Sequence, residues 1–264
     1  MSETAHAEPI QLITGTYYSR ALSRDQYYRY LLPRQPVSQP CHLPVIVMLH
    51  GYGSNCEEWV SHTRIAAQLA RYELLTIFPQ GDNGWYTNSY DGSTRYEDDI
   101  TECLIPEVIR NLPVATDARS WAIGGMSMGG YGAVKLAIKY PELFGAAFSH
   151  AGAFERMMQG DNHPVFGDPD NDFEFRRRES PVWLVEQLMC RFPIVRPSLF
   201  LDCGLSDPLL EVNRRFSSHL SFLGYHHTYA EAPGHHTWPY WNRAFRNVLP
   251  AIAKTIGAPE IGVL

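Results

Sequence analysis

The sequence predicts an α/β protein with a mostly parallel central sheet flanked by helices. Three observations carry this reading. Short runs rich in Val, Ile and Leu recur along the chain, each is closed by a glycine or proline break, and segments with apolar residues at helical spacing lie between them. The clearest run is "LPVIVMLHG", in which Val45 to Leu49 is apolar without alternation, as a strand buried on both faces must be.

The elements follow in order. "GTYYSRALSRDQYYRYLLP" alternates polar and aromatic residues about a break near Ser23 and reads as an antiparallel hairpin at the sheet edge. After the Val45–Leu49 strand, "CEEWVSHTRIAAQLARY" places Trp59, Ile65, Ala66 and Leu69 at helical spacing, and "LLTIFPQ", residues 74–80, returns as a strand. "ITECLIPEVIRNL" is an amphipathic helix interrupted or begun around Pro106. "SWAIGG", residues 120–125, is a strand running into a glycine cluster; "GAAFSHAG" from Gly145, "SLFLDCG" from Ser198 and "HHTYAEAPG" from His226 supply three more. Residues 154–197 break this rhythm with a polar, turn-rich stretch followed by the helical "VWLVEQLMCRF". A segment this long is expected to be an insertion over the carboxyl edge of the sheet, a lid or pocket wall, or else a solvated excursion. No repeat or low-complexity linker divides the chain, so residues 1–264 are expected to form a single domain.

Composition narrows the function classes. With 45% hydrophobic residues the chain can bury a sizeable core, and 22 Lys and Arg against 28 Asp and Glu give a net charge of -6 with both signs scattered. No basic stripe offers itself to a phosphate backbone, so nucleic acid is not an expected partner. The N-terminus lacks a basic segment leading into a long apolar run, and no apolar stretch approaches membrane-spanning length, so no membrane partner and a cytoplasmic location are expected. Cys41, Cys56, Cys103, Cys190 and Cys203 are odd in number and widely spaced without a CxxC pair. That spacing argues against a disulfide framework and against a zinc ribbon.

The glycine cluster carries the chemistry. Gly125-Met126-Ser127-Met128-Gly129 fits G-x-S-x-G between a strand and an amphipathic helix, the context in which a serine is lifted on a tight turn as a nucleophile. A phosphate-binding reading of the same glycines would need G-x-G-x-x-G or a Lys-Ser/Thr ending, and neither stands here. A serine hydroxyl needs a histidine to take its proton and a carboxylate to orient that histidine, in the chain order Ser, acid, His for this architecture. Two acids follow a strand in "LFLDCGLSDPLLE". Asp202 sits at the strand end, whereas Asp207 lies in the loop beyond, from which a side chain can reach a neighbouring loop; Asp207 is the preferred acid, its rival role being to cap the next helix. For the base, "EAPGHHTW" offers His235 and His236, between which the residues themselves do not choose; His50, His150, His226 and His227 read as structural, surface or edge residues. The oxyanion donors are the backbone N–H of Met128 and, from the glycine-flanked loop "HGYGSN", the N–H of Tyr52.

From about Gly15 to near the C-terminus the chain resembles the esterase D-like branch of the α/β-hydrolases, whose members include S-formylglutathione hydrolases, tributyrin, feruloyl and acetylxylan esterases, and mycolyltransferases. The likeness rests on "MLHGYGSNCEEW", "FPQGDNGWYTNS", "GGMSMGGYGAVKLAIKYPELFGAAFSHAG", "DCGLSDPLL" and "PGHHTWPYW". It implies an α/β-hydrolase fold, Ser127 as nucleophile, Asp207 as acid and His236 as base, with His235 standing where the family pattern has glycine. It further implies Tyr52 and Met128 as oxyanion donors and Trp85 in the substrate cleft. The function so implied is a serine carboxylesterase acting on short-chain acyl or aryl esters, with no cofactor and no metal and a small-molecule ester as partner; a homo-oligomer stays open. A thioesterase or acyltransferase of the same fold, and a non-catalytic ligand-binding module, are the alternatives.

Overall fold

The unbroken apolar run at Val45–Leu49 becomes a strand buried along its whole length, β3. Val45, Val47 and Leu49 face one core, and Ile46 and Met48 face the other. Each such side chain contributes about 1.5–3 kcal/mol of burial, which makes β3 an anchor for both layers. The structure, a computed structural model, describes residues 12–33, 42–191 and 196–261. Its other strands are β1 (Leu12–Ser19), β2 (Arg24–Leu31), β4 (Leu75–Pro79), β5 (Trp121–Met126), β6 (Ala146–His150), β7 (Ser198–Gly204) and β8 (His227–Ala232). They form an eight-stranded sheet in the order β1-β2-β4-β3-β5-β6-β7-β8. All the ladders from β4 to β8 are parallel, and the predicted hairpin β1–β2 joins antiparallel at the β4 edge. Helices Met128–Lys139 and Pro181–Met189 pack on one face, and helix Trp238–Thr255 with two short helices near residue 60 on the other. In this arrangement the carboxyl ends of β3, β5, β7 and β8 open at one edge, where loops carry function in such sheets.

Two predicted helices differ in detail, each for a local reason. The segment around Trp59 is split into Glu58–His62 and Ile65–Leu69, because Thr63 is extended with φ -133° and ψ 176°. Its hydroxyl donates to the Trp59 carbonyl and accepts the Ile65 N–H, and these side-chain bonds replace a turn of helix. Ahead of Pro106, the helix that begins at Tyr96 widens into a π turn over Asp99–Leu104 before Ile105–Asn111 resumes α geometry. A proline without N–H and with a ring crowding the preceding turn favours such a widening.

Among the described residues of 154–197, which leave out 192–195, the chain is of two kinds. Up to Ser180 it is mostly turns, organised by the buried Arg176, whose guanidinium donates to the carbonyls of Gln159 (2.6 Å), Asp161 (2.6 Å), Phe166 (3.2 Å) and Gly167 (3.0 Å). After it, Pro181–Met189 inserts Leu184, Val185 and Leu188 into the core and belongs to the helical layer. The two parts meet at a buried ionic cluster. Lys135 Nζ donates to Glu97 (2.7 Å), Glu179 (2.8 Å) and the Thr87 hydroxyl (2.8 Å), and Lys139 Nζ reaches the same two carboxylates at 2.6 and 3.3 Å. Tyr140 OH adds a bond of 2.5 Å to Glu97. Burial alone would raise the Glu97 carboxyl, but Lys135 and Lys139 outweigh it and hold it down at about 2. The Lys135 ammonium, which burial would lower, is raised by Glu179 and Glu97.

A folded-state pKa below the unfolded one means that Glu97 contributes stability present in full above its ordinary 4.5 and lost as the pH falls through about 2. Glu97→Gln, which leaves Lys135 and Lys139 short of a counter-charge, is expected to cost about 3–5 kcal/mol at neutral pH, read by urea denaturation. The same variant should lose less stability than the parent when the pH is taken from about 5 to 2.

Candidate active site

Ser127 terminates β5 and opens the helix Met128–Lys139 with φ 56° and ψ -116°, a left-handed conformation for a residue with a side chain. Such a residue carries strain on the order of 1–3 kcal/mol, so its surroundings must impose it. They do so by hydrogen bonds: Ser127 N–H donates to His150 O (3.0 Å) on β6, and its carbonyl accepts from Tyr131 (3.0 Å) and Ala153 (3.2 Å). The glycines answer a steric need. A Cβ on Gly125 would lie 2.5 Å from Leu49 O, and one on Gly129 would lie 2.6 Å from Leu49 O and 2.7 Å from His50 O. The loop after β3 therefore lies directly against the first turn of the serine's helix, as a two-part oxyanion hole requires.

That loop runs His50-Gly51-Tyr52. His50 is fully buried, its Nδ1 donating to Gly51 O (2.8 Å) and its Nε2 accepting from Gly81 N–H (2.9 Å). Burial lowers its pKa, so the ring is neutral and structural, as the sequence order implies. Among the described residues neither the Tyr52 nor the Met128 backbone N–H has an acceptor. Both are thus unspent donors, the second at the positive end of a helix of twelve residues.

Asp207 and His236 meet directly. Asp207 lies in the loop after β7 with its side chain fully buried; Oδ1 accepts the Leu209 N–H (2.8 Å) and Oδ2 the Nδ1 of His236 (2.8 Å). One carboxylate oxygen thus holds a backbone N–H just ahead of the following helix, and the other holds an imidazole nitrogen. His236 is carried by the loop after β8, which is pinned to the β7 loop where Ser206 N–H donates to Gly234 O (2.9 Å). Trp241 meets the His236 ring edge-on at 5.0 Å. With Nδ1 donating to the carboxylate, Nε2 is left as the basic nitrogen. His235 is exposed and makes no side-chain hydrogen bond among the described residues, which separates the adjacent pair.

Asp202 serves another histidine. It accepts His150 Nδ1 (2.6 Å) and Tyr240 OH (2.9 Å), and His150 is wholly enclosed among Trp59, Phe148 and Phe245. The Ser127 hydroxyl is half-buried and makes no hydrogen bond among the described residues. Nucleophile-to-base bonds commonly tighten only once substrate is bound.

Trp85 stands beside the Tyr52 ring, with centroids 6.1 Å apart. It is nonetheless 5% exposed, packed edge-on against Tyr131, Phe166 and His163, and shows little of itself to solvent. His163 and Phe166 come from the turn-rich insertion, and no local pattern in the sequence marked them. Burial, then Arg156, lowers the His163 pKa to about 4, which keeps that ring neutral. Among the described residues no three His, Cys, Asp or Glu side chains are grouped to hold a metal ion, and no helix is long and apolar enough to cross a membrane.

An acetyl esterase of Caldicellulosiruptor saccharolyticus is 24% identical over 90% of this chain and 96% of its own. An esterase of Mycobacterium tuberculosis is 27% identical over 83% of this chain, which spans 54% of that protein's length. Among solved structures, a substrate-bound, fluorophosphonate-binding serine hydrolase of Staphylococcus aureus superposes with a TM-score of 0.81 at 23% identity, covering 94% of this chain and 99% of that one. An S-formylglutathione hydrolase of Agrobacterium tumefaciens does so at 0.77 and 19% identity, with 94% and 96% covered. The family model described as "Putative esterase" matches residues 19–252, and with that match the chain belongs to this esterase family, the carboxylic ester hydrolases built on the α/β-hydrolase fold.

Proposed function

We propose that the protein hydrolyses short-chain acyl or aryl esters through an acyl-enzyme formed on Ser127. The observation that carries this reading is the 2.8 Å bond from His236 Nδ1 to the buried Asp207, borne on the two loops that follow β7 and β8 at the sheet edge where β5 delivers the serine. Ser127 Oγ attacks the ester carbonyl carbon while His236 Nε2 takes its proton. Asp207, without being protonated, holds the imidazole and stabilises its charged form. The negative oxygen of the tetrahedral intermediate accepts from the backbone N–H groups of Tyr52 and Met128, worth about 3 kcal/mol for each donor in comparable sites. Collapse breaks the bond to the alcohol oxygen, which leaves with the proton from His236. Water, deprotonated by the same nitrogen, then attacks the acyl carbon and releases the carboxylic acid and the free serine. The aromatic wall made by Tyr52 and Trp85 favours a small acyl or aryl group beside the carbonyl.

Ser127→Ala should leave folding intact and abolish both p-nitrophenyl acetate hydrolysis and fluorophosphonate labelling; retained turnover would remove Ser127 from the mechanism. His236→Ala is expected to lower kcat on the order of 10⁴-fold or more, since members of such a triad act as a unit, while His235→Ala changes it less than about tenfold. Product analysis across acetyl to octanoyl esters, feruloyl esters and S-formylglutathione, with and without added alcohol, separates ester hydrolysis from thioester cleavage and acyl transfer. A parent protein that labels with fluorophosphonate but cleaves thioesters alone would overturn the ester preference.

A further inference from the structure

Residues 84–87 hold two adjacent side-chain-bearing residues in the left-handed region, Trp85 at φ 53° and Tyr86 at φ 50°. Something outside the segment must impose this. Tyr86 is fixed from one side: its hydroxyl donates to His50 O (3.0 Å), and its ring lies where a Cβ on Gly132 would approach to 2.5 Å. Trp85 is fixed from the other. Its carbonyl accepts the Thr87 hydroxyl (2.9 Å), which itself accepts from Lys135 Nζ (2.8 Å).

The direction of these bonds is set by proton count. An ammonium has three N–H groups, and Lys135 spends them on Glu97, Glu179 and Thr87. The Thr87 oxygen, receiving one proton from the ammonium, has its own left to give, and the Trp85 carbonyl, at 2.9 Å, is its near acceptor; Tyr131 OH stands at 3.4 Å. Lys135 sits on the helix that Ser127 opens, two turns further along the chain. The wall residue is thereby referenced to the same rigid element as the nucleophile.

We propose that Lys135 and Thr87 form a lock that holds Trp85 in place and so limits the size of ester group accepted beside the oxyanion loop, an inference that rests on the esterase reading above. They are positioning residues: neither touches the reacting atoms. The two ion pairs of Lys135 meet its charge and stay in place without Thr87; losing the hydroxyl leaves one buried N–H without an acceptor, a cost to stability that the ratio between two esters does not register. When the hydroxyl is removed, the Trp85 backbone can relax from its left-handed state and the indole can withdraw from Tyr52, which opens the cleft.

The test uses the full chain with Thr87→Val, which keeps the side-chain shape and both ion pairs, alongside Thr87→Ala and Thr87→Ser. In Thr87→Val and Thr87→Ala the kcat/KM ratio of hexanoyl to acetyl p-nitrophenyl ester, or of a bulky to a small alcohol ester of acetate, should rise about tenfold, the scale of discrimination a pocket achieves per small group. The change should fall on KM for the larger ester, with kcat for the acetyl ester within about threefold of the parent. Thr87→Ser, which keeps the hydroxyl, should restore the parental ratios. A second readout needs no turnover: the relative labelling rates of Ser127 by long-chain and short-chain alkyl fluorophosphonates should shift in the same sense. Parental ratios in both Thr87→Val and Thr87→Ala would overturn the lock, as would Thr87→Ser behaving like Thr87→Val. Loss of ester turnover in the parent itself, with labelling retained, would count against the esterase reading, and the labelling ratios would still decide the lock.

Discussion

At the carboxyl end of the sheet the backbone carbonyls of Leu49 and His50 pass so close to the first turn of the Met128–Lys139 helix that Gly125 and Gly129 have no room for a side chain. Much follows from this contact. It lets β5 turn sharply into a helix and so puts Ser127 at φ 56°. It also brings the loop that carries Tyr52 alongside the helix terminus that carries Met128. An oxyanion site needs donors aimed before the charge appears, and under the proposed mechanism the N–H groups of Tyr52 and Met128 supply them from these two neighbouring segments.

The surroundings divide the polar work among groups that look alike in sequence. Asp202 and Asp207 each hold a histidine, but His150 lies sealed in the apolar layer under β6, whereas the His236 side chain is 28% exposed in its loop. The first pair ties β6, β7 and the last helix together through Tyr240; the second joins the loops that follow β7 and β8. The Lys135 cluster is a third buried polar group, and it joins the helix Met128–Lys139 to the segment containing Trp85 and to the turn-rich insertion. Buried charges are costly unless every donor and acceptor is met, and here the three ammonium protons of Lys135 all find partners.

Much of the fold was legible because the central strands β3, β4 and β5 are buried along their whole length and each runs into its own glycine or proline break. Val45–Leu49 and Ser198–Gly204 stand where the pattern placed them. The hairpin was legible for the opposite reason, an alternation that only a half-exposed edge pair requires. What escaped was set by single side-chain bonds or by partners distant in the chain: the Thr63 hydroxyl that divides a helix, the π turn before Pro106, and the carbonyl cage around Arg176 that seats His163 and Phe166 beside Trp85. Arg176 sits in an "RRR" run within the polar, turn-rich stretch, and only the enclosed form of the insertion makes it internal.

The sequence by itself determined the strand-turn-helix around Ser127, since no other residue than glycine fits so tight a junction, and with it the reaction chemistry that junction serves. The tertiary structure decided which of two adjacent histidines bonds Asp207, which histidine each aspartate holds, and how Trp85 is held. Those choices depend on the direction in which a loop leaves its strand and on contacts between residues far apart in the chain, such as Lys135 with Thr87, 48 positions away, and no local pattern of residues encodes either.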